Sequence, residues 1–103
     1  MRTIKHYRTN RYNSKGKEHG KWESYYNNGQ LCSKGSYNNG YLNGIWEYYH
    51  DNGRLDCKGN FINGKRNGEW EYYYPNGELE KKGNYINGRR DGIWEYYNIN
   101  GEL

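Results

Sequence analysis

The sequence predicts an all-β fold: a single-layer, twisted antiparallel meander of about eight strands, assembled from repeated β-hairpins. Three observations predict it. A 24-residue stretch recurs without a gap, and a fixed period marks a chain in which one supersecondary unit buries its apolar face only by stacking on its neighbours. Each copy carries an Asn-Gly pair between runs rich in aromatic and aliphatic residues, the strongest short-range hairpin signal. Counting outward from that pair sorts aromatic residues to one side and charged residues to the other.

Residues 1–103 form one domain. Residues 1–19 are a basic N-terminal cap, residues 20–43, 44–67 and 68–91 are full repeats, and residues 92–103 are a half repeat. Through Lys21 the chain carries seven Lys and Arg against Glu18 alone, whereas the remainder is slightly acidic. Tyr12-Asn13 followed by Ser14-Lys15-Gly16 echoes Tyr37-Asn38 followed by Asn39-Gly40, with one residue inserted. Thr3 to Tyr12 is therefore expected to be the edge strand, where Lys and Arg discourage edge-to-edge aggregation.

Within each full repeat Trp22, Trp46 and Trp70 open the first strand, and Asn28-Gly29, Asn52-Gly53 and Asn76-Gly77 are read as two-residue type I′ turns. The count then places each Trp opposite a glycine (Gly35, Gly59, Gly83), so that an indole lies over a residue without a side chain. It also places Glu23, Glu47 and Glu71 opposite Lys34, Lys58 and Lys82. One face holds Trp46, Tyr48, His50, Leu55, Cys57, Gly59 and Phe61 and is the core side. The other holds Glu47, Tyr49, Asp56, Lys58 and Asn60 and is the wet side. Asn39-Gly40, Asn63-Gly64 and Asn87-Gly88 turn the chain into the next copy, and are expected to bring Tyr37 opposite Trp46, Phe61 opposite Trp70 and Tyr85 opposite Trp94. The half repeat supplies a last strand.

Mean hydropathy is −1.51 with 32% hydrophobic residues, but an aromatic fraction of 18%, with four Trp and fourteen Tyr, supplies the apolar area. No apolar run has the length of a membrane span and the first residues lack a signal-peptide core, so a cytoplasmic protein is expected. Cys32 and Cys57 fall on opposite faces and read as free thiols. The constellations of an enzyme are missing. His6, His19 and His50 are widely separated, no Cys-x-x-Cys or metal-ligand spacing occurs, and each Glu of the ladder has a Lys opposite. No catalytic residue, metal or cofactor is expected.

The pattern Gly-x-Trp-x-x-Tyr-Tyr-x-Asn-Gly-x-Leu, then Gly-x-Tyr-x-Asn-Gly, as written in Gly68 to Gly88, resembles the MORN repeat, in particular the bacterial variant often labelled antitoxin-like. The likeness covers residues 20 to 103. The resemblance implies a string of β-hairpins forming an elongated twisted sheet that serves binding and assembly without chemistry of its own. Members of that family have been linked to protein partners, membrane lipids and toxin neutralisation.

The expected function is a non-enzymatic binding module that holds or blocks a protein partner, antitoxin-like or inhibitory. The alternative is a sponge for an anionic, nucleotide-derived small molecule or signal. Candidate contact residues are Tyr48, His50, Tyr72 and Tyr74 on the aromatic face, and Lys65, Arg66, Arg89 and Arg90 in the inter-repeat turns, read as one basic rim. His50 takes the seat of Tyr26 and Tyr74. Twelve acidic residues interspersed with sixteen basic ones argue against nucleic acid as a partner, and a membrane partner is not expected. A wide aromatic face implies a homo-oligomer, a dimer in the first instance.

Overall fold

The structure, a computed structural model, describes residues 9–103. Among the described residues nine antiparallel strands form one sheet: β1 (Arg11–Tyr12), β2 (Glu18–Tyr25), β3 (Leu31–Asn38), β4 (Tyr41–Leu42), β5 (Gly44–Tyr49), β6 (Leu55–Ile62), β7 (Lys65–Tyr73), β8 (Leu79–Ile86) and β9 (Arg89–Tyr96). The order is β1-β2-β3-β5-β6-β7-β8-β9, with the two-residue β4 paired to β3. The described residues are 14 Å thick in their thinnest direction. All nine strands belong to the one hydrogen-bonded sheet, so among the described residues this is one layer. Of the expected edge strand, Thr3 to Tyr12, only Arg11–Tyr12 is strand among the described residues; Thr9 and Asn10 form a bend, and residues 3–8 lie outside the described residues.

Within each hairpin the expected pairs are found. Trp22, Trp46 and Trp70 pair with Gly35, Gly59 and Gly83, and Glu23, Glu47 and Glu71 with Lys34, Lys58 and Lys82. The turn type differs from expectation. Gly53 has φ 91°, but Asn52 is not in the left-handed region. Gly53 N–H donates to His50 O at 3.0 Å and His50 N–H to Arg54 O at 2.7 Å. This is a type I turn closed by a left-handed glycine, one residue longer than a type I′ loop. A bulge between Tyr48 and Tyr49 absorbs the extra residue, so the pairing farther from the turn is unchanged. Asn52 favours this form because its Oδ1 accepts from Arg54 N at 2.8 Å while its Nδ2 donates to Pro75 O in the next hairpin at 3.0 Å. Type I′ geometry belongs instead to the inter-repeat turns, where Asn39, Asn63 and Asn87 have φ near 50° and Gly40, Gly64 and Gly88 near 85°.

The register across those inter-repeat turns also differs. Phe61 pairs with Arg66, not Trp70, and Tyr85 pairs with Arg90, not Trp94; Tyr37 likewise pairs with Leu42. The displacement is an even number of residues, which leaves every side chain on its expected face. The rings therefore still meet, diagonally: Tyr37–Trp46, Phe61–Trp70 and Tyr85–Trp94 are edge-to-face with centroids 5.2, 5.1 and 5.1 Å apart.

The shift between Lys58 and Asn60 interrupts the ladder, and the tryptophans repair it. Trp46, Trp70 and Trp94 donate Nε1–H to Ser36, Asn60 and Asn84 carbonyls at 2.8, 3.0 and 3.2 Å. Trp22 does the same to Arg11, one residue farther back as the inserted residue requires. Trp46, Trp70 and Trp94 each lean across the glycine of the preceding hairpin. A Cβ on Gly35 would sit 2.1 Å from Trp46, on Gly59 2.1 Å from Trp70, and on Gly83 2.3 Å from Trp94. The single layer thereby buries its own core: Trp46, Cys57, Phe61, Trp70 and Tyr85, with Trp70 at 0% exposure.

Candidate functional site

The two faces differ sharply in charge. On the wet face the Glu and Lys of every hairpin join one ladder, because Lys34 pairs with both Glu23 and Glu47, Lys58 with Glu47 and Glu71, and Lys82 with Glu71 and Glu95. The closest ion pairs are Lys34–Glu47 at 3.5 Å and Lys82–Glu95 at 3.9 Å. Tyr25, Tyr49, Tyr73 and Tyr97 donate O–H to the Glu two residues earlier at 2.5 to 2.7 Å. Burial first, then these carboxylates, push the Tyr49 and Tyr73 hydroxyls up to about 12. Two open hollows of about 430 and 360 Å³ lie over this face and share Ile45 and Glu47.

The aromatic face carries cations. Arg66 and Arg90 were expected at the turn rim with Lys65 and Arg89. The register separates them, since a residue paired with Phe61 or Tyr85 must point to the aromatic side. The Arg66 guanidinium carbon lies 5.2 Å from the Trp70 ring centroid and 5.5 Å from that of Tyr85, and Arg90 lies 4.1 Å from Trp94. Leu42 fills the same seat one copy earlier and packs on the core, so the seat is a lid over the indole that an Arg stem can also provide. Lys65 and Arg89 instead pair with the exposed Ile62 and Ile86 on the wet side.

Of the eight expected contact residues, the structure gathers four on the aromatic face: Tyr48, Tyr72, Arg66 and Arg90. Tyr72 and Tyr85 hydroxyls meet at 3.0 Å; burial first, and then this bond, raise the Tyr72 hydroxyl above its ordinary value. His50 and Tyr74 serve another purpose. Tyr26, His50 and Tyr74 occupy one seat and bond the backbone carbonyls of Tyr49, Tyr73 and Tyr97 at 2.5, 2.9 and 2.7 Å, tying each hairpin to the next. His50 Nδ1 lies 3.6 Å from Asp56. The residue that sequence reasoning missed is Lys81, whose ammonium lies 4.9 Å from the Tyr72 centroid and which pairs with both Tyr72 and Tyr96. Its signal was present: Lys81 sits 24 residues after Cys57, on a core-face seat. Both cysteines are free, and burial pushes the Cys57 thiol up to about 11. Among the described residues no cluster of His, Cys, Asp and Glu could hold a metal ion, and no helix is long and apolar enough to cross a membrane.

The model of the MORN repeat variant matches three consecutive segments, residues 18–39, 42–63 and 66–87, in step with the 24-residue period. The chain belongs to the MORN repeat family. MORN repeats are in general binding modules, and the stacked hairpins described above are this protein's version of one. No curated protein matches the chain in sequence.

Proposed function

We propose that this MORN protein is a non-catalytic docking module that acts by holding or blocking a protein partner, in the manner of an inhibitor or antitoxin, through its aromatic face. The observation that carries this reading is the composition of that face between β5 and β9. Tyr48, Tyr72 and Trp94 are half-buried rings packed against a rigid buried row, and Arg66 and Arg90 lie over the neighbouring indoles. Tyr, Trp and Arg held on a preorganised surface are the residue types that dominate interface energetics. The alternative, a sponge for a nucleotide-like anion, draws on the same groups, but small ligands bury most of their surface in concave sites. Two hollows lined by described residues, of about 430 and 360 Å³, lie over the ladder face.

Native mass spectrometry of the protein isolated gently from the cells in which it acts tests the reading. A stoichiometric protein partner, lost in a Tyr48→Ala/Tyr72→Ala variant that retains the fold, is the expected result. Extra mass of a few hundred daltons with no protein partner would replace it with the sponge.

A further inference from the structure

The cations of the aromatic face converge on one place. Lys81 lies over Tyr72, Arg66 over Tyr85, and the hydroxyls of those two tyrosines touch at 3.0 Å. Arg90 pairs with Tyr85, lies over Trp94 and donates to Tyr96 Oη. Three positive charges thus surround a single tyrosine pair. Among the described residues no carboxylate comes within 4.0 Å of any of them, in contrast to the ladder face, where Lys34 and Lys82 have Glu partners. The fold does not require these charges. The seat of Arg66 and Arg90 holds Leu42 and Glu18 in the earlier hairpins, and the seat of Lys81 holds Ser33 and Cys57. The positive charge is confined to the last copies and is left without an internal counter-ion.

We infer that Arg66, Lys81 and Arg90, grouped around the Tyr72–Tyr85 hydroxyl pair, form a seat for the carboxylates of an acidic protein segment lying across β7, β8 and β9. The inference rests on the docking reading above and adds the chemistry of the partner. Charge complementarity selects the occupant. A guanidinium has five N–H donors that can bond carboxylate oxygens in pairs, and Arg90 keeps several beyond the one it gives to Tyr96 Oη; an ammonium and two hydroxyls complete the donor set, and the half-buried rings of Tyr72 and Trp94 give the segment's apolar side chains a surface. The same charges oppose a second copy docking by this face, because it would set three cations against three.

The test uses the full chain, labelled with ¹⁵N and titrated by NMR with four probes: poly-L-glutamate, a random glutamate–tyrosine copolymer, AMP and inorganic phosphate. The two acidic polymers are expected to shift the side-chain signals of Arg66 and Arg90 and the amides of β7 to β9, the copolymer binding more tightly. Lys81→Gln is expected to weaken that binding about tenfold, the scale of one charge-assisted hydrogen bond. Lys81 lies over a half-buried ring, so this variant spares the lid on Trp70; Arg90→Gln is the second variant. Shifts confined to Lys34, Lys58 and Lys82 on the ladder face, equal binding by wild type and both variants, or binding of AMP or phosphate in preference to the polymers would each overturn the proposal. The docking reading has its own outcome. A native partner lost in the Tyr48→Ala/Tyr72→Ala variant but retained in Lys81→Gln and Arg90→Gln would leave docking standing and remove the acidic seat.

Discussion

At the scale of single residues, each tryptophan does two jobs, and substitution separates them. Trp70 fills the core at 0% exposure and caps the Asn60 carbonyl at 3.0 Å. Trp70→Phe keeps much of the ring but leaves that carbonyl without its donor, which costs about 1 to 3 kcal/mol before any cavity is counted. Trp22→Phe removes the equivalent bond, to Arg11 at 3.2 Å, from an only partly buried ring, and is expected to cost less. Urea denaturation of both variants checks the order, and equal costs would show that the bond matters little. Gly59→Ala attacks the same contact from the other side, since its methyl would sit 2.1 Å from the indole carbons of Trp70. Overpacking of this kind costs about 1 to 3 kcal/mol, and the same denaturation experiment measures it. That tryptophan and glycine belong together was legible in the sequence, because both recur at one period. Which glycine the indole covers was not legible, because pairing names the residue opposite and says nothing about the direction in which a long side chain leans.

At the scale of the element, the hairpin register could be read from the sequence because Trp–Gly and Glu–Lys coincidences repeat three times. The turns could not, because Asn-Gly serves both type I′ geometry and the longer type I form, and the choice is made by Asn52 bonding Arg54 N and Pro75 O. Asn52→Ala removes both bonds and is expected to cost about 1 to 2 kcal/mol, measured by the same denaturation. The inter-repeat register was hidden by the shift beside Gly59, and with it the inward turn of Arg66 and Arg90, which read as rim residues as long as the turn alone was considered. On the wet strands, Tyr49 and Tyr73 titrate near 12 against an ordinary 10.0. The folded state holds their protons more tightly than the unfolded state. Their contribution is therefore complete below pH 10 and disappears as pH rises from about 10 to 12. Tyrosinate absorbance and circular dichroism followed together should show loss of fold in that window. Glu47→Gln, which removes the negative charge beside Tyr49, is expected to lower the pH at which the Tyr49 phenolate appears.

At the scale of the whole molecule, every contact between hairpins is a copy of another, so a complete copy should be removable. Deleting residues 44–67 joins Asn43 to Gly68. Trp70 then meets Gly35 and Ser36 O as Trp46 does now, Lys34 faces Glu71 in place of Glu47, and the tie from Tyr26 to Tyr49 O passes to Tyr73 O. Nearest-neighbour stacking predicts a folded, shorter sheet of lower stability. Its denaturant slope should be about three-quarters of the parent's, because that slope follows the surface exposed on unfolding. Deleting residues 56–67 is a smaller change in length but a larger one in physics. It sets one Trp-Glu strand against another one residue out of step, so that Glu47 opposes Trp70 and Trp46 opposes Glu71 in the places of Lys58 and Gly59, and it removes Gly59 from beneath Trp70, so it is expected to abolish cooperative unfolding. Thermal and urea transitions followed by near-ultraviolet circular dichroism distinguish the two. A cooperative 12-residue deletion, or a 24-residue deletion without a transition, would mean that the hairpins are held by something other than the periodic contacts described here.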